Sequence, residues 1–230
     1  MVDLRRRLAA EALGTAFLLA SVVGSGIMGV RLAGGNLALA LLVNTISTGM
    51  ALVALLLTFG PVSGAHFNPA VTAVTAWLGG LRWREAGAYV VAQTIGAFGG
   101  VGIAHLMFGE KVYTVAQNAR GGSAQIFSEF VATFGLLAVI LGVSRHQASK
   151  VPYAVAGYVM SAYLFTASTS FANPAVTVSR TLSDSFAGIR PIDAPGFLLG
   201  QVLGMGCAAL LFRWLLPPAT PIRSPDHSIQ

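Results

Sequence analysis

The sequence predicts an all-α membrane protein in which six transmembrane helices and two re-entrant half-helices form an inverted repeat. Three observations lead there. Hydrophobic residues make up 55% of the 230 positions and charged residues 10%, with a mean hydropathy of +0.73, whereas soluble domains carry about 25% charged residues. Six apolar runs, at about 8–30, 36–59, 85–107, 124–144, 151–169 and 195–216, approach the roughly 20 residues that cross a bilayer. The pentapeptide Asn-Pro-Ala-Val-Thr occurs twice, at Asn68–Thr72 and Asn173–Thr177, each time after a long apolar run.

The first run follows Arg5, Arg6 and Arg7 and contains Glu11 in the segment AEALGTAFLL. An Arg triplet before an apolar stretch also suits a cleaved signal peptide over Met1 to about Ser25, but Glu11 interrupts the apolar region and the run outlasts a usual signal sequence. It therefore reads as a span. The second run leads into SGAHFNPAVT at 63–72. Proline suits the first helical position, where its missing N–H has no intrahelical partner anyway, and Asn is a favoured cap before it. Asn68 thus starts a helix too short to span, and the third run closes the first half. The fourth run begins with SEFVATFGLL, which puts Glu129 in the place of Glu11. The fifth precedes Asn173, the cap of another short helix. The sixth carries the single cysteine, Cys207, which among small and apolar neighbours reads as packing and excludes an internal disulfide. Pro217–Gln230 is proline-rich without an apolar period and reads as a disordered tail.

The chain is thus one domain, 1–230, of two repeats at about 8–107 and 124–216. Three crossings per half reverse the second copy, so the short helices enter from opposite faces and meet near the midplane. Their N-termini, each worth about half a positive charge, converge there. Irregular backbone at that depth survives only where it is buried in protein or lines a water-filled cavity, so the architecture calls for a conduit.

A net charge of +6 and a pI near 10.1 raise the question of nucleic acid, but the basic residues are scattered around the spans rather than gathered in a patch, and no nucleic-acid partner is expected. Their distribution sets topology instead. Arg5, Arg6, Arg7, Arg82, Arg84, Arg145, Lys150, Arg213 and Arg223 fall on the side of the termini, against Arg31, Lys111, Arg120, Arg180 and Arg190 on the other. The positive-inside bias puts both termini in the cytoplasm. No nucleophile elbow, phosphate-binding Gly-Lys motif or metal-ligand spacing is present, so the sequence gives no sign of an enzyme or of a cofactor or metal site.

With these features on the page, the chain resembles the major intrinsic protein family, the aquaporins and aquaglyceroporins, across nearly all of residues 8–216. The resemblance rests on SGAHFNPAVT at 63–72, ANPAV at 172–176, the two first-span glutamates and YVVAQ at 89–93. It implies a passive channel in a lipid bilayer, usually a homotetramer with one pore per subunit, with water and small neutral solutes as partners. It also implies roles. Asn68 and Asn173 would donate to solute oxygen at the pore midplane, Glu11 and Glu129 would accept hydrogen bonds from the loops bearing the boxes, and His66 corresponds to the family's loop histidine.

The departures from the family pattern concern selectivity. An arginine usually follows the second Asn-Pro-Ala, where this chain has Val176. Counting back without gaps from Asn68 and Asn173, the remaining constriction positions fall on Thr48, Ser161 and Ser170, where water-selective members tend to have an aromatic, a histidine and a small residue. All four residues here are small and uncharged, so the expected filter is wide. Arg180 lies one turn outward of Val176 on the same helical face. The favoured expectation is an arginine snorkelling to the interface, and the alternative is a charge restored at the outer mouth. The absence of an acidic residue at Thr177 or Val178 departs from glycerol-selective members. Val at position 176 resembles a bacterial subgroup linked to arsenic handling, which implies an inner (plasma) membrane location and adds undissociated metalloid hydroxides such as arsenous acid to water, glycerol and urea as expected solutes. The competing class is an ion- or proton-coupled transporter, since inverted repeats with broken helices also build those. It would need Glu11 or Glu129 as a titrating midplane group.

Overall fold

The computed structural model describes residues 2–215. Eight α-helices follow one another: α1 (Leu4–Leu32), α2 (Leu37–Ser63), α3 (Pro69–Trp77), α4 (Trp83–Phe108), α5 (Ser123–His146), α6 (Val151–Phe165), α7 (Pro174–Ser179) and α8 (Ala194–Leu215). The proline-rich tail and Arg223 lie outside the described residues. Five helices, α1, α2, α4, α5 and α8, are long and apolar enough to cross a membrane. α3 and α7 are the half-helices. Asn68 caps α3 by accepting from Ala70 N at 2.8 Å, and Asn173 caps α7 by accepting from Ala175 N at 3.0 Å and Val176 N at 3.3 Å.

The fifth apolar run departs from expectation. The sequence suggests a span over 151–169, but α6 ends at Phe165 after 15 residues, or about 22 Å at 1.5 Å per residue. A 3-10 turn, Ala148–Lys150, extends it at its start. Beyond Phe165 the chain must turn back towards the midplane to reach Asn173, and it does so through left-handed residues Thr169, Ser170 and Ala172 (φ +59°, +50° and +46°). An apolar run cannot distinguish a helix from the buried loop that follows it.

Two close helix pairs organise the bundle, α1 with α4 and α5 with α8. Glycine makes both possible. A Cβ on Gly96 or Gly100 would lie 2.2 Å from the Ala12 or Ala16 carbonyl oxygen across the first pair, and one on Gly200 or Gly204 would lie 2.4 Å from the Ile126 or Phe130 oxygen across the second. In lipid, where apolar burial gives helices no preference for one another over acyl chains, such backbone approach supplies the association energy. The Gly-x-x-x-Gly spacing at 96–100 and 200–204 was visible in the sequence and carries this packing. Gly204→Ala should therefore push α5 and α8 apart and cost about 1–3 kcal/mol, read as a lowered thermal midpoint in detergent. An unchanged midpoint would show that the helices can separate freely.

The same face selection corrects the reading of Cys207. α8 turns Gly200, Gly204 and Ala208 inward, and Cys207, one residue off that stripe, is exposed on the outer surface of the helix. Among the described residues the interior around the second half-helix packs Leu19, Val23, Phe67, Ala97 and Val101 against Phe171, Ala175, Val176 and Phe197, whereas Val71 and Val74 of the first half-helix pack with Leu137, Ala208 and Ala209.

Candidate functional site

The backbone ahead of each Asn is strained in the same way. Gly64, Ala65 and Phe67 have positive φ before Asn68 (+88°, +48° and +47°), and Thr169, Ser170 and Ala172 repeat the pattern before Asn173. Non-glycine residues in this region cost on the order of 1–3 kcal/mol each and persist only when their surroundings fix them. A buried glutamate does so in each half. Glu11 accepts from Ser63 Oγ at 2.6 Å, His66 N at 2.9 Å, Phe67 N at 2.8 Å and Gln93 Nε2 at 2.8 Å. Glu129 accepts from Phe171 N at 2.8 Å, Ala172 N at 2.9 Å and Gln201 Nε2 at 2.6 Å. Gln93 and Gln201 also donate to Thr72 Oγ1 and Thr177 Oγ1, whose hydroxyls donate to the Asn68 and Asn173 carbonyls at 3.0 Å. Gln93 and Gln201 fall outside the sequence reading. The signal for Gln93 was inside the YVVAQ segment.

The two loops are tied directly to each other. Asn68 Nδ2 donates to Ala172 O at 2.8 Å, and Asn173 Nδ2 donates to Phe67 O at 2.8 Å. These partners also fix the amide orientation, because only the nitrogen can face a carbonyl while the oxygen accepts the capping N–H groups. Each amide carries two N–H donors, so one remains for a solute. His66 sits beside them, its Nδ1 3.0 Å from Thr72 Oγ1 and its ring 5.4 Å from that of Tyr89.

Asn68 and Asn173 share a cavity of about 430 Å³. Thr75, Leu78, Gly80, Ser144 and Val151 line it on the side where α3 and α5 end, and His66, Phe67 and Ala172 line its middle. Thr48, Tyr163, Phe171 and Val176 line it towards the opposite face. The walls are otherwise aliphatic, with Leu52, Leu56, Val155 and Val159 among them.

Of the four filter positions read from the sequence, the structure brings Thr48 and Val176 to this wall and leaves two elsewhere. Ser161 is exposed, on one outward face of α6 with Tyr153, Gly157 and Leu164. Helical geometry is the reason: Val151, Val155, Val159 and Tyr163 recur at four-residue steps and present Tyr163, two residues on from Ser161, to the cavity. The Tyr163 hydroxyl lies 3.5 Å from Thr48 Oγ1. Ser170 is buried in the left-handed turn, its N bonded to Ser168 Oγ and its own Oγ without a partner among the described residues, and it is not part of the cavity wall. The cavity wall thus carries Tyr163 and Phe171 where the residue count suggested Ser161 and Ser170.

Arg180 does not snorkel. It is 2% exposed, its Nε donates to Ala187 O, and its guanidinium carbon lies 3.4 Å from the centre of the Phe171 ring. The 3-10 turn Arg180–Leu182 that ends α7 folds the side chain back under the loop that follows. Arg120, which the sequence reading used only for topology, holds this outer layer together. It donates to Gly188 O at 2.8 Å, Phe186 O at 3.1 Å, and Ser168 O and Thr169 Oγ1 at 3.3 Å. Its backbone N donates to Asp193 Oδ2 at 2.8 Å, and the Arg190 guanidinium holds that carboxylate below the usual range.

Comparison with known proteins places this arrangement among relatives. Residues 1–167 match the profile of the Major intrinsic protein family. The chain is 53% identical over 220 residues to aquaglyceroporin AqpS of Rhizobium meliloti (strain 1021), covering 96% of this chain and 94% of that protein. It is 31% identical over 241 residues to the probable aquaporin AqpM of Archaeoglobus fulgidus, covering 93% and 98%. The fold is similar to the X-ray structure of the aquaglyceroporin from Plasmodium falciparum, with a TM-score of 0.71, 20% identity and coverage of 93% and 95%.

Proposed function

Because the chain belongs to the major intrinsic protein family, whose members are passive membrane channels for water and small solutes and not enzymes, we propose that its own cargo is small neutral polyol-shaped molecules. The solutes in this reading are glycerol and urea alongside water, with undissociated metalloid hydroxides such as arsenous acid within the same shape class. The observation that carries it is the cavity of about 430 Å³ that contains both Asn68 and Asn173 and is otherwise mostly aliphatic. A hydroxylated solute gains the free N–H of each Asn and the hydroxyls of Thr48 and Tyr163, while its carbon skeleton meets Val176, Phe171 and the aliphatic wall. An ion gains too few ligands there to replace its hydration. The protein acts as a bilayer-embedded homotetramer in a bacterial inner membrane with both termini cytoplasmic, and its two repeats form one channel domain.

Coupled transport is disfavoured by how the glutamates are used. Glu11 and Glu129 are both occupied by the loops they hold, and among the described residues lining the cavity the titratable side chains are His66 and Tyr163. Glycerol flux into proteoliposomes should therefore follow the glycerol gradient and be unaffected by a proton ionophore. Stopped-flow light scattering with water, glycerol, urea and arsenous acid ranks the solutes, and uptake against a gradient that collapses on adding the ionophore would overturn the channel reading.

A further inference from the structure

We propose that Arg180 supplies the fixed positive charge of the constriction, from behind the Phe171 ring, in a chain whose position after the second Asn-Pro-Ala is Val176. The proposal rests on the channel reading above. Its first support is an expensive arrangement with no counter-charge to offset it. Arg180 is buried, forms no ion pair among the described residues, and spends a single N–H donor on Ala187 O, while Nη1 is buried with no partner. A buried guanidinium in this condition is costly, since desolvation is repaid only by a counter-charge or by satisfied donors. Arg120, its neighbour in the same layer, shows what a structural arginine looks like, with four acceptors met.

The second support is position. Phe171 lines the cavity together with Thr48, Tyr163 and Val176, and the Arg180 guanidinium carbon lies 3.4 Å from the centre of the same ring. The charge therefore stands one aromatic ring from the solute path. Phe171 is itself held by the Phe197 ring, edge-on with centroids 4.9 Å apart. Tyr163, Arg120 and Glu129 are the other charged or titratable groups close enough to interact with Arg180. Glu129 brings one negative charge against the two positive charges of Arg180 and Arg120, so the local sum stays positive. At low effective dielectric, a charge of this kind raises the barrier to cations without touching the solute.

The test reads cation leak and neutral flux on the same proteoliposomes. Arg180→Gln should leave water and glycerol flux within about twofold of the parent and raise Na⁺ and proton leak about tenfold. Val176→Arg added to that variant should return the leak to the parent level, because it restores the charge at a different point of the same constriction. A folded Arg180→Gln channel as cation-tight as the parent, or a leak that Val176→Arg does not reverse, would overturn the proposal. Arg180→His gives a second measurement that also serves if the Gln variant does not fold. Its Na⁺ leak should be low at pH 5, where the imidazole can charge, and high at pH 8, with the parent and its own His66 as the control. A leak that does not change with pH in the His variant would also overturn it. If the parent passes neither water nor glycerol, the channel reading fails instead.

Discussion

Replacing Glu129 by Ala should abolish accumulation of folded protein. The carboxylate accepts from Phe171 N, Ala172 N and Gln201 Nε2, all buried, and it holds a loop in which Thr169, Ser170 and Ala172 are left-handed. Stranding a buried donor costs about 1–3 kcal/mol. Three such losses, together with release of the strained turn, are comparable to the whole 5–15 kcal/mol by which a typical protein is stable. Glu129→Gln should be milder, because its amide oxygen still accepts while its NH₂ faces donors it cannot satisfy. Size-exclusion profiles of detergent extracts should rank parent, Gln and Ala in that order. Normal yield of the Gln variant with abolished proton-linked flux would instead make Glu129 a proton relay.

Tyr163→Ala should have the largest effect on selectivity, raising the flux of glycerol and larger polyols about tenfold while water flux changes less. The ring lines the cavity along with Thr48, Phe171 and Val176, its hydroxyl 3.5 Å from Thr48 Oγ1. Aromatic side chains contribute some 150–250 Å² of surface each, so its loss widens this part of the cavity by far more than any change at Thr48. Tyr163→Phe separates bulk from hydrogen bonding and should keep large polyols slow while weakening discrimination among small ones. Ser161→Ala should be silent, since that side chain is exposed on the outer face of α6. Should Ser161→Ala alter selectivity while a folded Tyr163→Ala channel conducts like the parent, the constriction lies where the ungapped count put it and not where α6 points.

The helices, the half-helices and the inverted order of the two repeats were legible in the sequence because each depends on local information. Pro69 and Pro174 can occupy only a first turn without losing a helical bond, Asn68 and Asn173 cap through their own side chains, and the apolar runs count out a bilayer. The pairing of Glu11 with the first loop and Glu129 with the second came from the resemblance to the family, the repeated segments themselves showing only that the two glutamates occupy matching places. What the sequence left undecided were the properties of faces and of chain reversal. A residue count through the fifth run could not say that α6 stops at Phe165, and an error of two positions in a helix turns a side chain by about 200°, from the cavity wall to the outer surface. That rotation moved Ser161 outward and put Tyr163 in its place.

Arg180 shows the same division. Its spacing from Val176 was fixed by the sequence and implied a charge near the outer surface, where an arginine can snorkel. The tertiary structure decided otherwise, because the 3-10 turn after α7 and the Arg120-bound loop at Phe186–Gly188 close over the side chain and lay it on Phe171. Sequence determined which segments span, which stop half-way and which groups could hold them. Only the fold decided which residues line the cavity, since that depends on helix rotation and on contacts between segments far apart in the chain, such as Thr48 with Tyr163 and Asn68 with Ala172.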